Sequence, residues 1–125
     1  MCFILLTSVL FSLSVSTRDV SKREIILLAE HTMDTDLLEQ EKILRADAGG
    51  LAERDVMITV ITPLSDKNRY AKLMKNKKGF LFILIGKDGG EKLISDNPVT
   101  LEQLFGLIDS MPMRRYEIET RSKHN

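Results

Sequence analysis

An α/β fold, with a central mixed sheet of about four strands and helices on both faces, is predicted by three features of this 125-residue chain. Two uninterrupted apolar runs of strand length, 25–29 and 80–85, read as strands buried on both faces, the pattern of a sheet covered by helices. Segments with helical apolar spacing alternate with the strand-like ones. A turn signal, Asp88-Gly89, separates the second apolar run from a shorter one, so the last two strands form a hairpin. The totals fit one globular domain with one core: 43% of residues are hydrophobic and 29% charged. Eighteen cations balance eighteen anions, so net charge gives no reason to expect specific nucleic-acid binding.

The N-terminal segment stands apart. Residues 3–15 carry no charge, and Ser14-Val15-Ser16 sets small residues at −3 and −1 of a cut before Thr17. This reads as a secretory signal peptide over 1–16, followed by a short polar leader over 17–22. The competing reading is a buried N-terminal strand. The apolar run is shorter than the roughly 20 residues a membrane span needs, so no transmembrane anchor is expected after cleavage. Cys2, the single cysteine, lies in the segment to be removed. A cleaved product would have no disulfide, thiolate metal site or thiol nucleophile. The expected compartment is extracellular or periplasmic.

The domain proper is expected over 23–118. Ile25-Ile26-Leu27-Leu28-Ala29 forms the first strand. Segment 36–48 reads as a helix, with Asp36 as its cap, Leu37, Leu44 and Ala48 on one stripe, and Gly49-Gly50 as its stop. The β-branched stretch 56–61 is the second strand, ended by Thr62-Pro63. A short helix over 65–77 follows, with Tyr70, Leu73 and Met74 at i, i+3 and i+4. Strand 80–85 turns through Asp88-Gly89 into 91–94, which reads as nearer the edge. Thr100 and Gln103 make a capping-box pattern for the last helix, whose apolar face is Leu101, Leu104, Phe105 and Ile108. Pro112 is expected to stop it. Residues 119–125 read as a flexible polar tail. The order strand, helix, strand, short helix, strand, strand, helix is that of a thioredoxin-like core, with the first two strands parallel.

Three stretches carry a resemblance. They are Leu51-Ala52-Glu53-Arg54-Asp55-Val56, the hairpin Leu84-Ile85-Gly86-Lys87-Asp88-Gly89-Gly90-Glu91-Lys92-Leu93, and the run ending in Met111-Pro112-Met113-Arg114-Arg115. Over about 23–118 the chain resembles the bacterial domain-of-unknown-function 4174 family. It is similar to the DUDES domains of vertebrate sushi-repeat-containing and coiled-coil matrix proteins. The resemblance implies a secreted thioredoxin-like fold distantly related to peroxiredoxins, with vertebrate relatives linked to matrix and adhesion. It implies no catalytic residues and no cofactor.

Thiol redox catalysis needs a cysteine at the helix start after the first strand, where the helix dipole favours a thiolate. Glu30-His31-Thr32-Met33-Asp34-Thr35-Asp36 stands there instead, and Lys78-Gly79-Phe80 lacks the proline common before the third strand of a thioredoxin. His31 with Asp34 and Asp36 could bind a metal, but a solvated loop with a capping Asp explains them, so no metal ligand is assigned. Gly86-Lys87-Asp88 has the wrong spacing for a phosphate loop and reads as a turn. Lys67, Arg69, Lys72, Lys75, Lys77 and Lys78 lie close together with no acid among them, a possible contact for an extracellular polyanion or otherwise a solvated helix face. Met111 and Met113 read as a plug under the core or as an adaptable contact surface.

The candidate binding residues are Gly86, Lys87, Asp88, Gly89, Gly90, Arg114 and Arg115. If the turn and the post-helix segment meet, Asp88 can face Arg114 or Arg115, while Asp109 competes for Arg114 locally. The sequence thus suggests a secreted, non-redox module that binds a polyanion or protein partner, in matrix or envelope. The alternative is an enzyme with a cysteine-independent polar site, for which Glu53, Arg54 and Asp55 are the candidates.

Overall fold

The computed structural model describes residues 21–123, so the expected signal peptide and most of the leader lie outside the described residues, as does His124. Strand β1 (Arg23–Leu28) is buried at all six positions because it is paired on both edges. It runs parallel to β2 (Val56–Ile61) and antiparallel to β3 (Leu81–Ile85), and β3 pairs antiparallel with β4 (Glu91–Ser95). The sheet order is β2-β1-β3-β4. The parallel first pair and the closing hairpin are those anticipated, and β4 lies at an edge with three of its five residues exposed.

Alternation along β1 and β3 feeds two apolar layers. Ile25, Leu27, Phe82 and Leu84 face helices α1 (Thr35–Arg45), α2 (Ala48–Glu53) and α4 (Leu101–Asp109), through Leu37, Leu44, Leu51, Leu104 and Ile108. Ile26, Leu28, Leu81 and Ile83 face α3 (Lys67–Met74), through Met74, Tyr70 and Leu73. Each fully buried Leu, Ile or Phe contributes about 1.5–3 kcal/mol. Helices therefore cover both faces of the sheet, as expected. No helix among the described residues is long and apolar enough to cross a membrane.

Several boundaries differ from those expected, each for a local reason. Helix α1 is capped by Asp34, whose carboxylate accepts from the Leu37 N–H, and not by Asp36. It ends at Arg45, and Gly49-Gly50 lie inside α2, which Asp47 caps. A Cβ at residue 50 would come within 2.5 Å of the Asp47 carboxylate and 2.9 Å of the Phe105 ring, so this glycine serves close packing rather than helix termination. Helix α3 is shorter than 65–77: Asp66 caps its start, and Lys75 and Asn76 end it at φ 49° and 68°. The Thr100–Gln103 capping box forms as read.

Pro112 does not merely stop α4. It opens a further helix, α5 (Pro112–Lys123), at a position where its missing N–H is no loss. Residues 119–123, read as part of a polar tail, are helical. Arg121 holds them down, donating to the Glu53 carbonyl at 2.7 Å.

Candidate functional site

Because β1 runs parallel to β2 and antiparallel to β3, the starts of β1 and β2 and the end of β3 meet at one end of the sheet. Four groups arrive there: Arg23 on β1, Asp55 before β2, Lys87 after β3, and Glu117 on α5. The turn from α2 into β2 sets Asp55 at φ 53°, with its carbonyl accepting from the Arg23 N–H at 2.7 Å. Lys87 Nζ binds both the Asp55 carboxylate, at 2.9 Å, and the Glu117 carboxylate. Arg23 reaches Glu117 at 3.3 Å and donates to the Arg54 carbonyl at 2.7 Å.

The network continues along α5. Arg114 is 2% exposed and pairs with Asp109 at 3.2 Å, Glu53 at 3.1 Å and Glu117 at 3.6 Å. Arg54 binds Asp109 through Nε and Nη2, both at 3.0 Å, while its guanidinium lies 3.9 Å from the Phe105 ring centre. Burying guanidinium groups this deeply is tolerable only because carboxylates and carbonyls meet them.

The same contacts hold the acids ionised. Burial works against the charge of Asp55, but the Lys87 hydrogen bond and the charges of Lys87, Arg121 and Arg23 outweigh it and lower its pKa. Burial likewise opposes ionisation of Glu117, and Lys87 and Arg23 overcome it. The Arg54 hydrogen bond leads in lowering Asp109, with Arg114 adding to it. Arg114 is raised despite burial, because Asp109 and Glu53 hold its proton.

Beside this network lies a cavity of about 280 Å³, lined by Arg23, Gly86, Lys87, Asp88, Lys92, Ser110, Met111, Pro112 and Met113. The hairpin turn and the post-helix segment thus share one surface, as the sequence suggested they could. The turn is built by its glycines and one carboxylate. The Gly86 N–H donates to the Gly90 carbonyl, Gly89 sits at φ 87°, and Asp88 accepts from the Gly90 N–H at 2.9 Å. Lys92 folds back over it: a Cβ at residue 86 would stand 2.7 Å from the Lys92 side chain.

The specific pairing is the local one. Asp88 binds Lys92 at 2.7 Å rather than Arg114 or Arg115, and Arg114 goes to Asp109. Arg114 lies in the network next to the cavity wall, and Arg115 is exposed on α5 outside that wall. Gly86, Lys87 and Asp88 line the cavity; Gly89 and Gly90 complete the turn. Met111 packs against the core, as the plug reading expects, and Met113 is 49% exposed at the cavity.

Glu53, Arg54 and Asp55 are all engaged in the ion network. Lys67, Arg69, Lys72, Lys75, Lys77 and Lys78 are exposed on α3 and the loop after it, but Arg69 is drawn to Glu24 at 3.2 Å. Lys77 and Lys78 also border a second hollow of about 550 Å³ with Ile94, Ser95 and Asp96. His31 is exposed, and Asp34 is committed to capping α1. Sequence reasoning missed Arg23, Lys92 and Glu117 as site residues. The signal available for Lys92 was its position four residues after Asp88, within reach across a tight turn.

A family model described as "Domain of unknown function (DUF4174)" matches residues 17–117. No curated protein and no solved structure matches the chain.

Proposed function

The chain belongs to the DUF4174 family, and on that premise we propose that it works by binding, as a secreted or periplasmic thioredoxin-like module without thiol chemistry. The observation that carries this reading is the cavity at the Gly86–Gly90 turn and the α4–α5 junction, whose lining combines charged side chains with Met111 and Met113. A rigid ion network behind it pre-organises the wall, which reduces the ordering cost of binding.

Two further observations support the parts of this reading. The family match begins at residue 17, where the small-residue triplet of the apolar leader ends. N-terminal sequencing of exported protein is expected to read Thr17 first, and a product retaining Met1-Cys2 would overturn export by cleavage. Residues 17–125 contain no cysteine, so thiol-disulfide exchange by that product is expected to stay at background.

An enzyme built on Glu53, Arg54 and Asp55 is the weaker reading. General acid–base catalysis favours a group whose pKa lies near the working pH. The carboxyls of Asp55, Asp109 and Glu117 are moved the other way, toward permanent charge. A thermal-shift screen over small molecules and polyanions tests the binding reading. A compound that raises the melting temperature of the native protein, but not of Met113→Trp, supports the cavity as the site. Stabilisation by every active compound that is unchanged in Met113→Trp would overturn it.

A further inference from the structure

We propose that β2 is a self-association edge, where a second copy of this chain adds its own β2 antiparallel across a two-fold axis at Ile58. The inference is independent of the cavity and goes beyond the binding reading. Strand β2 lies at an edge of the sheet, with β1 on one side and no strand among the described residues on the other. The parallel ladder fixes which of its backbone groups are open. The Asp55 carbonyl accepts from the Arg23 N–H at 2.7 Å, and the Ile61 carbonyl accepts from the Ala29 N–H at 3.3 Å. Backbone groups alternate sides along a strand, so positions 55, 57, 59 and 61 face β1. The N–H and C=O groups of Val56, Ile58 and Val60 therefore point out of the sheet, a template for another strand.

The two edges of the sheet are built differently. Strand β4, the opposite edge, carries Glu91 and Lys92 and has a register shift against β3 at Leu84/Ile85. Charges and bulges are devices that keep strand edges from pairing. Strand β2, Val-Met-Ile-Thr-Val-Ile, has neither: it holds no charge and no proline, and its register with β1 is unbroken. Ile58 is 43% exposed and Val60 36%. Val56 and Ile58 also line an apolar groove of about 230 Å³ with Leu44, Ala48 and Leu51 of the α1–α2 layer.

A second copy is the occupant this edge fits. Two-fold pairing centred on Ile58 sets Ile58 against its twin and Val56 against Val60, so every outward group of the strand meets its equivalent. A centre at Thr59 would oppose Val56 to Thr62, whose N–H and carbonyl are already bonded to Ser65. A centre at Met57 would oppose Val60 to Arg54, whose N–H goes to the Leu51 carbonyl and whose carbonyl goes to Arg23. The turns that flank β2 thus leave one register. The same axis runs the two α1 helices antiparallel on one face of the joined sheet. Helix α1 is acidic at its start, with Asp36, and basic at its end, with Lys42 and Arg45. Arg45 borders the groove beside Val56, at the start of β2, so the basic end of α1 faces the acidic start of its copy.

Sedimentation velocity and thiol cross-linking of the exported protein test this, in a Cys2→Ser background so that only an introduced thiol can react. The protein is expected to sediment as a concentration-dependent dimer. Ile58→Lys and Val60→Lys place a charge in the apolar pairs and should each weaken the dimer by about tenfold or more, with circular dichroism checking that each is folded. Ile58→Cys should form a disulfide-linked dimer under mild oxidation, because residues opposed in a hydrogen-bonded pair stand about 5.5 Å apart at Cα, within disulfide reach. Thr59→Cys should stay unlinked, since Thr59 would face Met57 of the second copy. If a lysine variant unfolds, the two cysteine variants, which add no charge to the strand, decide. Linkage through Thr59→Cys and not through Ile58→Cys overturns the axis at Ile58. A dimer that both folded lysine variants leave intact overturns β2 as its interface. A protein that stays monomeric at every concentration overturns the second copy as occupant and leaves the edge to an extended segment of another protein.

Discussion

Gln40 sits fully buried on α1, where its amide answers both backbone groups of Val99. Its Nε2 donates to the Val99 carbonyl at 3.0 Å, and its Oε1 accepts the Val99 N–H at 2.6 Å. Gln40→Ala would leave two buried backbone groups without partners, so the unfolding free energy should fall by roughly 2–4 kcal/mol. Urea denaturation measures this, and a loss indistinguishable from zero would mean that water replaces the amide. Neither this role nor the burial of Arg23 was legible in the sequence. A lone Gln on a helix and an Arg at a strand start read as surface residues. The partners that make burial tolerable are remote: Val99 lies 59 positions from Gln40, and Glu117 lies 94 from Arg23. Arg114 stands out in the sequence as a candidate partner of Asp88 or Asp109, but its sharing among three carboxylates, Asp109, Glu53 and Glu117, depends on the fold.

Some elements completed by adjacent residues match their sequence signals, although the equally local caps of α1 and α3, Asp34 and Asp66, do not; elements set by distant packing are not legible locally. The Thr100–Gln103 box and the Asp88-Gly89 turn are complete within a few residues. Helices α2 and α5 were missed because Gly49-Gly50 and Pro112 look like terminators, while contacts with Phe105 and Glu53 lie far along the chain. Helix α3 offers a test at this scale. Lys72, Lys75 and Lys77 are exposed, whereas Arg69 is drawn to Glu24, which is only 6% exposed. If the segment binds polyanions, replacing those three lysines with Gln should shorten retention on a heparin column, and added salt should erase the difference as screening tightens below about 8 Å. Arg69→Gln should instead lower stability, because it strips a nearly buried carboxylate of its cation. Equal retention by the triple variant would remove this segment as a polyanion contact.

At the scale of the whole molecule, the ion network joins the start of β1, the approach to β2, the end of β3, and helices α2, α4 and α5. It links chain segments that the apolar layers hold only indirectly, which makes its protonation a property of the fold. Asp55 and Asp109, with an ordinary pKa of 3.8, and Glu117, at 4.5, are all lowered in the folded protein. A lowered folded pKa means the unfolded chain binds protons first as pH falls. The stability these acids contribute is therefore complete above the unfolded values and is lost as pH drops through the lowered folded ones. Melting temperature should accordingly change little on their account between about pH 7 and 5 and fall steeply below about 4. Glu117→Gln isolates the effect. It cannot be protonated, and it loses the charge that Lys87, Arg23 and Arg114 share. The variant should melt lower at neutral pH yet show a shallower acid limb, so that the two curves converge toward low pH. Parallel curves would show that Glu117 titrates alike in the folded and unfolded chain, and that the network's pH response rests on Asp55 and Asp109.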